Sequence, residues 1–73
     1  MTRLPVLSGR KARQAFERLG WVFRHHTGSH MIMSKEGSVR TLSIPDHREV
    51  ARGTLRALIR LAGISVDEFV AVL

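Results

Sequence analysis

Seventy-three residues make a single domain with a modest core, since a chain of this size buries only about 60% of the surface its unfolded form exposes. Without cysteine there are no disulfide staples or thiolate metal sites, and no apolar run approaches the 18 or so residues that span a bilayer. Twelve Lys+Arg against six Asp+Glu give a formal charge of +6, with lysine confined to Lys11 and Lys35; an arginine-rich excess of this kind points to a polyanion or an acidic protein partner.

No Gly/Ser/Pro-rich or repetitive stretch is long enough to act as a linker, so residues 1–73 are expected to fold as one unit. The short apolar stretch from Leu4 to Leu7 is no signal peptide, and the expected compartment is the cytoplasm. Ser8 is placed to cap a first helix in which Ala12, Ala15, Phe16 and Leu19 recur at helical spacing, and Gly20 stops it. Residues 21–26 have the aromatic and branched composition of a strand. Thr27-Gly28-Ser29 turns the chain into a second strand over residues 30–34, and Lys35-Glu36-Gly37 makes a second turn. A third strand is expected over residues 39–44, closed by Pro45, which has no N–H for a ladder.

A loop over residues 46–52 leads to a second helix with Leu55, Leu58, Ile59 and Ala62 inward and Gly63 at its end. Ser65 with Glu68 three residues on is a capping box for a short last helix that carries Phe69. The expected fold class is therefore α+β, in the order α-β-β-β-α with a short C-terminal helix. Helices must cover one face of the three-stranded antiparallel sheet, because a meander alone cannot bury its apolar side chains.

On the second helix Arg52, Arg56 and Arg60 recur every four residues, drifting only about 40° per step, and have no acid at i±4 among them. They form a cationic ridge suited to phosphate, to which Arg24 on the first strand is added as a further RNA contact. A solvated polar face is the plain alternative. His30 follows Gly28-Ser29, a turn pair whose amides can face an anion, and it opens a strand that holds its side chain in place. Imidazole both accepts and donates a proton near neutrality, as cleavage of an RNA phosphodiester by its own 2′-hydroxyl requires. His25 and His26 are adjacent on a strand, so they point to opposite faces and cannot chelate one metal together. His47 either caps the second helix or faces the site. No acidic cluster, activated serine or phosphate loop is present, so neither a metal nor another cofactor is expected.

Five pieces in register, Gly20-Trp21, Gly28-Ser29-His30, Ile44-Pro45-Asp46-His47, Gly53-Thr54-Leu55-Arg56 and Ala62-Gly63-Ile64-Ser65, followed by Glu68-Phe69, resemble the HicA family of toxins. The resemblance runs from about Leu4 to Phe69. It implies a fold like that of double-stranded-RNA-binding domains. It also implies a metal-independent endoribonuclease that cleaves mRNA, blocks translation and is neutralised by a HicB-type antitoxin protein. By the family pattern the catalytic residue is His30 and the supporting turn is Gly28 and Ser29. The chain departs from that pattern where Arg10-Lys11 replaces an acid early in the first helix and where Met31 replaces a polar residue.

If Met31, Met33, Leu42 and Ile44 face the helices, alternation leaves His30 and Ile32 on the open face of the sheet. RNA phosphates would then lie along the arginine ridge while a displaced segment enters beside His30. The competing reading is a non-catalytic RNA-binding module, which would bind with a steep salt dependence and cut nothing.

Overall fold

The computed structural model describes residues 2–73. Helix α1 (Gly9–Arg18) opens at Ser8, whose hydroxyl accepts the Lys11 N–H at 3.1 Å, and buries Gly9, Ala12, Ala15 and Phe16. Strands β1 (Val22–Thr27), β2 (His30–Ser34) and β3 (Leu42–Pro45) form an antiparallel sheet in the order β1-β2-β3. Helix α2 (Arg52–Leu61) buries Leu55, Leu58 and Ile59. In α3 (Val66–Val70) the Ser65 and Glu68 capping box closes as the sequence implies, and Phe69 packs on Phe16 with ring centroids 5.0 Å apart.

The core lies between the helices and one face of the sheet. Met31, Met33, Leu42 and Ile44 are fully buried there with Phe16, Leu55 and Phe69. Their alternation in β2 and β3 leaves His30, Ile32 and Ser43 on the other face, which no helix covers. Met31 thus fixes the orientation of β2 by burial. The segment before α1 is tied down by a bridge between Leu7 and Val50 and by buried Leu4.

The third strand is shorter than its composition suggests and begins at Leu42 instead of Val39. Val39 is wholly exposed, because it is out of phase with Leu42 and Ile44 and a longer strand would bury nothing by including it. Ser38 exchanges bonds with the Arg40 backbone and so holds that stretch as a loop. Pro45 belongs to the strand as its last residue, opposite His30; β3 is an edge strand, so its missing N–H breaks no ladder. The first strand is shifted by one residue, and Trp21 is buried just before it. No helix among the described residues is long and apolar enough to cross a membrane.

Candidate active site on the open sheet face

His30 stands at the start of β2, half-buried, opposite Thr27 on β1 and Pro45 on β3. The hairpin leading into it turns at Gly28, whose φ of 58° is a conformation that favours glycine, in a spot where an added Cβ would meet nothing within 4 Å. Thus Gly28 serves the backbone path and leaves the space above the turn open. Ser29 is anchored through its carbonyl, which accepts the Asp46 N–H at 2.7 Å. The turn named by the sequence is therefore clamped to the end of β3 on the far side of His30.

A β-bulge in β1 decides which other side chains share this face. Phe23 pairs with Met33 and His25 with Ile32, so Arg24 is an extra residue with no partner of its own. Phe23 and His26, three residues apart, consequently both face the helices, with ring centroids 5.2 Å apart in an edge arrangement. His25 and Thr27 join His30 and Ile32 on the open face. Arg24 reaches the same side, where its Nε donates to the Ser34 hydroxyl at 2.6 Å. None of the three strands contains an acidic residue.

The acids sit elsewhere, and two of them, Asp46 and Glu17, are paired with bases. Asp46, which the sequence presents as a lone loop acid, accepts from Arg10 Nε at 3.4 Å and lies 3.5 Å from His26 Nε2. The base that replaces the family's helix-start acid, Arg10, thus finds its partner across the chain. Arg13 pairs with Glu17 at 3.5 Å and lies over the Phe23 ring at 3.9 Å. Arg10, Arg13, Glu17 and His26 border a cleft of about 360 Å³ between α1 and the helix side of the sheet, with Met31 also in its lining. Among the described residues, neither His25 nor His30 has a hydrogen-bond or ion-pair partner for its imidazole, whereas His26 is held by Asp46.

The arginine ridge is not brought to His30. Helix α2 packs on the Met31 and Met33 face, so Arg52, Arg56 and Arg60 belong to the opposite layer. All three are exposed; Arg52 donates from Nε to the Leu4 carbonyl at 2.8 Å, while Arg56 and Arg60 make no side-chain hydrogen bond among the described residues. No ion pair among the described residues involves any of the three. Arg24, by contrast, shares the open face with His30. His47 does not cap α2: the capping position is Ala51, with no side-chain bond, and the His47 carbonyl accepts the Gly9 N–H at 2.9 Å. Among the described residues no three His, Asp or Glu side chains gather as a metal ion would require.

Sequence reasoning overlooks Asp46 as a fastener of the site, and the signal available for it is its place directly after Pro45, the strand end facing His30. The bulge at Arg24 has no such signal, because simple alternation from an inward Phe23 would send His25 inward too.

These features define a small basic α+β domain with one bare sheet face that is polar, free of acids and furnished with two unpaired imidazoles. The family model for the HicA toxin of bacterial toxin-antitoxin systems matches residues 9–64, and the chain belongs to that family. A chain in a solved structure described as a toxin-antitoxin complex from Streptococcus pneumoniae is similar in fold, with a TM-score of 0.71 and 27% identity. That match covers 80% of this chain and 98% of the other. No curated protein sequence matches this one.

Proposed function

We propose that this chain is an endoribonuclease that cuts mRNA, with His30 as its catalytic residue and the open sheet face as its RNA-binding surface. The observation that carries the reading is the placement of His30: an unpaired imidazole on a face that no helix covers, beside a glycine turn held by the Asp46 amide. In the reaction the 2′-hydroxyl of a ribose attacks the adjacent phosphorus, and His30 moves a proton at one of the reacting oxygens. A single group of this kind supplies about 10²–10⁴ in rate, so positioning and charge stabilisation supply the remainder.

Arg24 is the cation on the same face and contacts phosphate next to His30; the Gly28 and Ser29 turn holds the histidine and keeps the approach clear. Arg56 and Arg60, with Arg52 at the helix start, form a second phosphate-contacting strip on the helix layer, met by RNA that passes around the β3 edge. The fold is then used as a double-stranded-RNA-binding-like platform that reads backbone and shape. As a toxin the protein works in the cytoplasm and is neutralised by a HicB-type antitoxin, which covers the cationic sheet face with acidic or bulky side chains. The family membership and the toxin-antitoxin complex of the related chain support this pairing.

The test is incubation of purified protein with labelled mRNA in EDTA, beside His30→Ala. Cleavage by the wild type alone is expected. Intact RNA with both proteins refutes the nuclease reading in favour of a binding module, cleavage that survives the substitution refutes the role of His30, and cleavage abolished by EDTA refutes metal independence.

A further inference from the structure

We infer that the proton-transfer partner of His30 is His25, so that cleavage uses two imidazoles on one sheet face, one as base and the other as acid. The inference rests on the nuclease reading above and assigns it a second catalytic residue.

The register places the two rings. Thr27 is directly opposite His30 and Ile32 directly opposite His25, which makes His25 and His30 a diagonal pair on adjacent strands. Diagonal neighbours on one face lie about 7–8 Å apart, within reach of each other's longer side chains. Both project from the face opposite buried Met31 and Met33. Thr27 and Ile32 occupy the other two corners of the patch, flanking the diagonal between the rings, and His25 is exposed. A phosphodiester laid across this face therefore has one imidazole on either side.

That separation matches the demand of the reaction. In a displacement in which attacking and leaving oxygens stand on opposite sides of phosphorus, one group cannot comfortably serve both ends. One imidazole takes the proton of the 2′-hydroxyl as its oxygen bonds to phosphorus. The bond from phosphorus to the 5′-oxygen breaks, and the other imidazole, protonated at the start, gives its proton to that oxygen. The products are a 2′,3′-cyclic phosphate and a free 5′-hydroxyl, and proton exchange with solvent resets the pair. Arg24, fastened to Ser34 on the same face, stands ready for the charge on the non-bridging oxygens.

His26 is excluded by the same geometry. It faces the helices with Phe23 and is held by Asp46, although in the sequence it is the equal of its neighbour.

The experiment compares wild type, His25→Ala, His30→Ala and His26→Ala on an RNA carrying a single cleavable linkage, and on the same RNA with sulfur replacing the bridging 5′-oxygen. A thiolate leaves without protonation, so loss of the acid is rescued on the sulfur substrate and loss of the base is not. On the oxygen substrate we expect His25→Ala and His30→Ala each to lose about 10²–10⁴ in rate, with His26→Ala close to wild type. On the sulfur substrate exactly one of the two impaired variants returns to near the wild-type rate. If the wild type cuts neither substrate, the nuclease reading fails and this inference with it. A wild type that cuts while His25→Ala cuts the oxygen substrate equally fast overturns the inference alone. So does rescue of both variants or of neither, which would leave His25 a role in binding or structure only, and so does a loss in His26→Ala as large as in His25→Ala.

Discussion

Replacement of Gly9 by alanine should unfold the protein at a markedly lower temperature, although alanine is the better helix former. A Cβ at Gly9 would overlap the Pro45 carbonyl oxygen and stand 2.9 Å from its carbon and 3.2 Å from Asp46 Cα. Ordinary contact is about 3.5–4.0 Å, so the start of α1 must withdraw by about 1 Å or more. All three atoms are backbone and cannot swing aside. Overpacking of this kind costs about 1–3 kcal/mol. Withdrawal also stretches the 2.9 Å bond from the Gly9 N–H to the His47 carbonyl, worth about 1 kcal/mol. Against this stands a helix-propensity gain of at most about 1 kcal/mol.

The net loss for Gly9→Ala is about 2 kcal/mol, which for a domain of this size lowers Tm by about 8–16 °C. Gly53→Ala is the control, since a Cβ there meets nothing within 4 Å and the residue lies in the first turn of α2. It should gain about 0.4–1 kcal/mol. Thermal unfolding followed by circular dichroism measures both. A Gly9→Ala protein melting at or above the wild type would refute the argument from close approach, as would two shifts of the same sign.

Three further outcomes are expected. Phe69→Ala removes a fully buried ring from its contact with Phe16 and should cost about 3–5 kcal/mol in chemical denaturation, unfolding a large share of the protein at physiological temperature. Gly28→Ala forces a Cβ into a φ of 58° and should cost about 1–2 kcal/mol in the same assay; because the turn holds His30, RNA cleavage should fall by more than stability alone explains. Arg24→Ala should flatten the salt dependence of single-stranded RNA binding by about 0.7 in the log–log slope, the mark of one lost phosphate contact, and should slow cleavage at saturating RNA. Arg56→Ala should flatten the slope similarly and leave that rate unchanged, so equal effects of the two on rate would contradict a division between sheet face and helix layer.

Most of the fold was legible because its signals are local. The Ser8 cap, the Ser65 and Glu68 box and the apolar stripes of α1 and α2 each lie within a few turns of chain, and the structure keeps all of them. The outward orientation of His30 was legible as well, since Met31, Met33, Leu42 and Ile44 leave the sheet only one way to face. What escaped depends on pairing between distant residues. Whether Val39 belongs to a strand depends on what faces it across the sheet, and the register ends at Leu42 opposite Met33. The arginine spacing in α2 says nothing about which layer the helix joins, so the ridge looked like a neighbour of His30 when it lies on the far side of the sheet. Asp46 looked solitary because its partners, Arg10 and His26, are brought to it only by folding.

The bulge at Arg24 makes the composition of the open face depend on counting. With Phe23 anchored inward, every residue of β1 after the bulge takes its side of the sheet from that one unpaired position. Deleting Arg24 would remove the extra residue and leave the ring of His25 outward and that of His26 toward the helices. Keeping all six residues of β1 in plain alternation from an inward Phe23 would instead exchange the two imidazoles. Which histidine this strand shows to the open face therefore depends on Arg24 being accommodated as a bulge. A relative with the same number of residues between the inward aromatic and the glycine turn but no bulge would present the other position of the histidine pair to whatever binds the sheet.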